Sequence, residues 1–198
     1  MASTAAIAAT SEAIVALLTR AKSRAPTPPD VKVAAADDLV APTDTSATPV
    51  VTVFLHRVGM SSVQRTFPAH VTATGERMKP PVPLDLWYLI TAWAATPVTQ
   101  QLLLGWAVRT IEDNLALPAT LLNAGTSTNA FRPDESVELA WAPLTSTEET
   151  EIWQVAQTAH QPSASYLARM VLIASEDSVH EYPHAQTTDF AYTSEVPA

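Results

Sequence analysis

The chain has 198 residues, enough for one domain with a substantial core. Hydrophobic residues make up 47% and charged residues 16%, which excludes a wholly disordered chain. Twenty acidic residues against 11 basic ones give a formal charge of −9, which opposes binding to nucleic-acid phosphates. No apolar run approaches the roughly 20 residues that span a bilayer, so we expect no membrane insertion. No cysteine is present, which excludes disulfides.

The N-terminal half begins with a predicted helix over residues 3–22, where alanine is abundant and larger apolar residues recur on one stripe. This segment lacks the basic region of a secretory signal, so we expect none. Prolines end the helix, and residues 31–35 are a short predicted strand. Residues 50–58 alternate as a second, well-covered strand. The segment 59–79 is long for an internal loop and has weak strand character at residues 69–72.

The most informative segment is residues 80–95, which the alternation of apolar side chains predicts to be a buried strand. One face would carry Leu84, Leu86, Tyr88, Ile90 and Ala92, and the other Asp85, Trp87, Leu89, Thr91 and Trp93. Because both faces are largely apolar, we predict a central place in the sheet. Thr96 is a predicted cap, and Pro97 suits the first turn, of a helix that runs to Leu115. Its predicted buried face is Leu104, Val108, Ile111 and Leu115.

The C-terminal half continues with a predicted short helix at residues 117–124 and a strand at residues 137–144. Ser146 and Glu149 have the spacing of a capping box. The helix that follows is expected to reach residue 159 and to bury Ile152, Val155 and Ala156, with Trp153 at its edge. Residues 165–175 form the last predicted strand.

Together these elements predict an α/β (α+β) fold: a single mixed sheet of about five strands flanked by about three helices, within a domain of residues 1–175. Residues 176–198 are predicted to be a C-terminal extension, either flexible or forming an interface.

The clearest enzymatic motif is HEYPH at residues 180–184, the H-E-x-x-H pattern of zinc metallopeptidases. In that mechanism both histidines lie on one helical face and the glutamate acts as the base for zinc-bound water. Pro183 stands inside the turn that has to be helical, where its ring would clash with the carbonyl of Val179. We therefore assign no catalytic, cofactor-binding or metal residue.

A serine-histidine-acid triad stays open by counting, but the chain has no G-x-S-x-G turn. Among its histidines are His56, His70 and His160, of which His56 fits better as a strand side chain at a core edge or an interface. Asp85 could be catalytic, but pairing with Arg57, Arg109 or Arg169 is the better interpretation, because buried charges persist when they are paired. The tryptophans lie on predicted regular elements, which favours the core or a subunit interface over a ligand cage.

Four segments carry a resemblance to a known family. They are VTVFLHRV at residues 51–58, PPVPLDLWYL at residues 80–89, WAPLTSTEETEIW at residues 141–153 and QPSASYLARMVLIAS at residues 161–175. In their amino-acid sequences and their order along the chain, over roughly residues 5–175, they resemble the cap family of contractile injection systems. Members of that family are relatives of the tail terminators of contractile phages. His56 departs from the family, which more often has an aromatic residue there.

The resemblance implies a tail-terminator-like domain that forms a hexameric ring on the baseplate-distal end and ends assembly of the inner tube and the sheath. The implied partners are further copies of the chain, the sheath protein and the inner tube protein, with no cofactor and no enzymatic activity. The chain would be cytoplasmic at assembly and become part of a phage-tail-like particle. Residues 59–79 and 176–198 are then expected to meet neighbouring subunits. An adaptor or anchor of the same particle, or a zinc hydrolase that uses HEYPH, are the alternatives.

Overall fold

The computed structural model describes residues 2–39, 48–64, 67–72, 74–125 and 129–179. The helices are α1 (Ala6–Ala21), α2 (Pro97–Glu112), α3 (Ala119–Leu122) and α4 (Ser146–Val155), with 3-10 turns at Lys22–Arg24 and Ala36–Asp38. The strands are β1 (Asp30–Ala34), β2 (Val50–Met60), β3 (His70–Val71), β4 (Arg77–Met78), β5 (Val82–Trp93), β6 (Ala116–Pro118), β7 (Ser136–Trp141) and β8 (Ser163–Ile173).

The main sheet has the strand order β1-β2-β5-β8-β7-β6, and β3 pairs with β4 in a separate hairpin. β1 and β2 are parallel, whereas the other pairs of the main sheet are antiparallel, so the sheet is mixed. The predicted fold class is confirmed, with six strands in this sheet and four α-helices in the described part of the chain. The long strand β5 lies inside the sheet between β2 and β8, as the two apolar faces predicted.

Each face of β5 supports a separate part of the core. Leu86, Tyr88, Ile90 and Ala92 face the larger cluster, which contains the buried sides of α1 and α2. Leu89 and Trp93 face a smaller cluster beneath α4, where they pack against Leu39 and Trp153. The predicted division of side chains between the two faces is therefore confirmed along this part of the strand.

α4 differs from its prediction in both its cap and its buried face. The capping box is formed by Thr145 and Glu148, one residue earlier than predicted, because Thr145 is the last residue with extended backbone before the helix. The helix ends at Val155 and not near residue 159. Trp153, expected at the edge, is 2% exposed, whereas Val155, expected in the core, is 76% exposed. The large indole fills the space above β5, so the helix turns that side inward.

Two other predicted elements are shifted. The segment predicted as one helix at residues 117–124 is divided into β6 and α3, because Pro118 has an extended backbone conformation. Pro118 lies on an edge strand, where a proline removes no hydrogen bond of the sheet. α2 buries Leu103, Ala107 and Ile111 completely, whereas the predicted Leu104 is only partly buried. The buried stripe is thus rotated by about one residue from the predicted one.

The segment 59–79 and the start of the predicted extension lie together. The backbone N–H of Lys79 donates to the carbonyl of Asp177 (2.9 Å), and that of Val179 donates to the carbonyl of Arg77 (2.7 Å). The Lys79 ammonium also donates to an Asp177 carboxylate oxygen at 2.8 Å. These contacts attach residues 177–179 to β4 through an isolated antiparallel bridge between Met78 and Ser178. A domain boundary at residue 175 stays a prediction.

Candidate interaction surfaces

The side chains considered as catalytic candidates do not converge in the described part of the chain. The HEYPH motif lies outside the described residues. Within them, no three or more His, Asp or Glu side chains are placed to hold a metal ion. His160 forms an exposed pair with Glu149 (3.1 Å), and neither His56 nor His160 makes a hydrogen bond to a described serine. The assignment of no catalytic or metal residue stays a prediction.

Asp85 is buried, as its position in β5 predicted, but its partner is different. A carboxylate oxygen accepts a hydrogen bond from the backbone N–H of Met170 at 3.0 Å. Met170 has a φ of 53°, and the pairing of β5 with β8 shifts its register at this point. The predicted pairing with Arg57, Arg109 or Arg169 is wrong: in the described part of the chain Asp85 forms no ion pair, while Arg57 pairs with Glu148 and Arg109 with Asp113. Asp85 therefore stabilises an irregularity in the sheet, since it satisfies a backbone donor there.

His56 is the extra residue of a β-bulge in β2. Leu55 pairs with Tyr88 and Arg57 pairs with Trp87, so His56 has no partner on β5. Its Nε2 atom is buried and makes no hydrogen bond in the described part of the chain. Burial and the neighbouring Arg57 guanidinium lower the pKa of His56, and Glu148 opposes them. The prediction of a strand side chain at a core edge is consistent with this position.

An apolar groove lies beside His56, between β2 and α4. It has a volume of about 210 Å³. The side chains that line it include Leu39, Phe54, Ile152 and Val155. It lies at the C-terminal end of α4, where Val155 and Ala156 line it.

Arg57 and Trp87 form a cross-strand pair on the same face of the sheet. The guanidinium carbon lies 4.3 Å from the centre of the Trp87 ring, a cation–π contact. Gly59 lies against the same ring, where a Cβ atom would come within 3.1 Å of it. Arg57 also pairs with Glu148 at 3.6 Å, which joins this face of the sheet to the start of α4.

The outer stripe of α2, formed by Val98, Leu102, Gly105 and Arg109, has no covering element in the described part of the chain. The four residues follow one another at helical spacing, and all are exposed, with Val98 at 67% and Leu102 at 53%. A Cβ atom at Gly105 would meet nothing within 4 Å. Glycine in the middle of a helix lowers stability by about 0.5–1 kcal/mol relative to alanine. Among the described residues, no contact explains this glycine.

The segment expected to meet neighbouring subunits also exposes apolar side chains. Val63 is 73% exposed and Val71, on β3, is 63% exposed. Contacts of the hairpin and of the C-terminal segment with other subunits stay predictions.

A groove with three arginines lies between the C-terminal halves of α1 and α2, next to β6 and α3. This arginine groove has a volume of about 530 Å³ and is lined by Arg20, Arg24 and Arg109 together with apolar side chains such as Leu121. Arg109 pairs with Asp113. In the described ranges, Arg20 and Arg24 make no ion pair or hydrogen bond through their side chains.

Sequence reasoning did not find the arginine groove. Arg20 and Arg24 are four residues apart and favour the negative end of the α1 dipole, which by itself explains them. Arg109 lies about 90 positions later, and no local pattern relates it to the other two.

None of the helices in the described part of the chain is long and apolar enough to cross a lipid bilayer.

Comparison with known proteins decides the family. The family model of the Pvc16 N-terminal domain matches residues 9–187, nearly the whole chain. The chain belongs to the Pvc16 N-terminal domain family. The resemblance inferred from the sequence is thereby confirmed. No curated protein matches the chain.

Two solved structures are similar to this member of the family. The first is the PVC sheath/tube terminator in the extended state, from a cryo-EM structure of an extracellular contractile injection system. It has a TM-score of 0.61 and 16% sequence identity, over 97% of this chain and 63% of the terminator. The second is the tube-terminating cap of the anti-feeding prophage, with a TM-score of 0.47 and 20% identity, over 77% of this chain and 52% of the cap. At these identities the first comparison establishes a shared fold. The chain spans less than two thirds of the terminator's length.

Proposed function

We propose that this chain caps a contractile injection system, as a hexameric ring on the baseplate-distal end that ends assembly of the inner tube and the sheath. The observation that carries the proposal is the shared fold with a sheath/tube terminator over 97% of the chain. The partners are then the sheath protein, the inner tube protein and further copies of the chain. The chain acts through its surfaces and not through a reaction.

A closed ring places a specific demand on those surfaces. In cyclic assemblies with more than two subunits, each subunit uses two different patches, one for each neighbour. The outer stripe of α2 and the exposed valines of the hairpin region are apolar patches on separate elements, and they suit such contacts. Gly105 supports the role of α2, because a helix without a side chain at that point allows another backbone to approach closely.

The test is the length distribution of sheathed particles from cells with and without the gene, measured by negative-stain electron microscopy. We expect absent, unstable or length-scattered particles without the chain, and normal particles when the wild-type chain is restored. Native mass measurement of the purified chain tests the six-subunit ring. Particles of normal length and yield without the chain would contradict the proposal. Normal particles that are lost from their attachment site would instead favour an adaptor or anchor.

A matched pair of variants connects the phenotype to a surface. Leu102→Asp places a charge on the outer stripe of α2, and Val155→Asp places the same charge on α4, across the sheet. Both positions are exposed, so neither change disturbs the core. We expect Leu102→Asp, and not Val155→Asp, to reproduce the loss of length control. Equal effects of the two charges would contradict a specific role of α2.

A further inference from the structure

The arginine groove is a concentration of positive charge on an acidic protein. Three of the chain's 11 basic residues line it, and Asp113 is the only acidic residue among its lining side chains, a net charge of +2. Arg20 lies in the last turn of α1 and Arg24 in the 3-10 turn that follows it, so two cations stand at this end of the helix. The helix dipole accounts for cations at this end of α1, but not for Arg109 from a second helix facing the same space.

The groove also has features of a binding surface for a peptide with acidic and aromatic side chains. Guanidinium groups make paired hydrogen bonds to carboxylates and stack on aromatic rings. Apolar lining from Leu121 and Trp106 adds surface that an aromatic side chain would cover. The indole N–H of Trp106 is buried and has no acceptor in the described part of the chain.

The same chain contains a segment of the matching composition. Residues 180–198 include Glu181, Asp189 and Glu195 and no lysine or arginine. Two of these acidic residues are followed directly by an aromatic residue, in Glu181-Tyr182 and Asp189-Phe190. The segment therefore offers carboxylates next to aromatic rings, the groups that guanidinium and apolar side chains bind.

The attachment point of the segment does not itself line the groove. Its attachment point, Val179, is held on β4, whereas α1, α2, β6 and α3 line the groove. Nineteen residues reach at most about 60 Å when extended. That is longer than the whole of α1, about 24 Å at 1.5 Å per residue, so the segment can reach an adjacent molecule.

We propose that the arginine groove binds the acidic, aromatic C-terminal segment, residues 180–198, of a second copy of this chain. A groove on one molecule and a segment from the next form a head-to-tail contact, the type that closes a ring. The identification of the second copy as a ring neighbour rests on the proposed capping function, but the contact itself does not.

The absence of cysteine makes the contact directly testable by cross-linking. Ala116→Cys places one thiol at the groove, on β6, and Ala191→Cys places one between the aromatic residues of the segment. The two full-length variants, with tags of different mass, are mixed and treated with a short bis-maleimide. Thr147→Cys, exposed on α4, is the matched control for the groove position.

We expect mixed cross-linked dimers from Ala116→Cys with Ala191→Cys, and few from Thr147→Cys with Ala191→Cys. Arg24→Glu is expected to lower the yield by roughly tenfold, because a charge-assisted contact becomes a repulsion. Lys22→Glu, which makes the same charge change two residues away but outside the groove, is expected to leave it unchanged. Reversal of Glu181, Asp189 and Glu195 to lysine should restore cross-linking to the Arg24→Glu groove.

Three results would overturn the proposal. They are equal yields at the groove and at Thr147, equal effects of Arg24→Glu and Lys22→Glu, and cross-links that form only within a chain carrying both cysteines. The last would place the segment in its own groove. Normal particle lengths without the chain would contradict the capping function and leave the cross-link standing. Normal length control by a chain that forms no cross-links would contradict the groove contact and leave the capping function standing.

Discussion

Tyr88 and Tyr166 are direct neighbours across β5 and β8, and each hydroxyl reaches a different helix. The Tyr88 hydroxyl lies 3.0 Å from the Ser11 hydroxyl on α1, and that of Tyr166 donates to Glu112 on α2 at 3.1 Å. Burial raises the pKa of both tyrosines strongly, so both stay protonated as donors. This pair fixes the two large helices to the centre of the sheet through polar contacts within an otherwise apolar layer.

The Ser11–Tyr88 contact predicts unequal effects of its two deletions. Ser11 also donates to the carbonyl of Ile7 at 3.2 Å, so Tyr88→Phe leaves no unsatisfied donor and should cost only about 0.5–1.5 kcal/mol of unfolding free energy. Ser11→Ala leaves the Tyr88 hydroxyl buried without a partner and should cost about 1–3 kcal/mol. Urea titration monitored by tryptophan fluorescence measures both. A larger loss for Tyr88→Phe would contradict this hydrogen-bond arrangement.

His56 predicts a specific acid sensitivity. Its pKa in the folded chain lies below the usual 6.5, so the unfolded chain takes up the proton first as pH falls. The stability from neutral His56 is therefore present above pH 6.5 and is lost as pH falls below it. His56→Phe removes this dependence and keeps a ring beside the apolar groove. In thermal melts from pH 7.5 to 5, the wild-type Tm should fall more than that of His56→Phe, and parallel curves would refute the prediction.

Two glycines predict opposite responses to alanine. Gly105→Ala should raise the unfolding free energy by about 0.5–1 kcal/mol, because alanine favours the helix and its Cβ meets no atom within 4 Å. Gly59→Ala should lower it, because its Cβ would lie 3.1 Å from the half-buried Trp87 ring. Denaturant unfolding measures both.

Gly105→Ala also tests whether α2 lies at an interface. If a neighbouring subunit packs closely on the outer stripe of α2, the more stable variant should assemble less well into particles. A variant that is both more stable and fully competent in length control would show that Gly105 has no role in close packing.

The bridge that residues 177–179 form with β4 predicts different effects of proline at adjacent positions. Val179→Pro removes the N–H that donates to the carbonyl of Arg77, whereas Ser178→Pro leaves both backbone hydrogen bonds of this bridge in place. We expect Val179→Pro to expose the C-terminal segment to limited proteolysis several-fold faster than Ser178→Pro, with cleavage sites identified by mass spectrometry. Equal cleavage rates would mean that these bonds do not hold the segment.

Much of the fold followed from local pattern. The two faces of β5 were predicted because alternation along a strand is a property of the backbone and needs no knowledge of the partner strands. The cap of α2 was predicted for the same reason: Thr96 accepts from the N–H of Thr99, three residues away. The capping box of α4 was misplaced by one residue, because consecutive Thr145 and Ser146 are each three residues before a glutamate. Only the backbone conformation distinguishes them.

The sequence by itself determined the fold class, the central strand and the family, because hydrophobic periodicity, helix caps and the family's motifs are all features of short stretches of chain. Only the tertiary structure decided which distant groups meet. Asp85 binds a backbone amide and not an arginine, residues 177–179 join a hairpin about 100 positions earlier, and Arg109 faces the same groove as Arg20 and Arg24. These contacts depend on how helices and strands pack, since packing is set by the shape and volume of whole faces and not by the spacing of single residues.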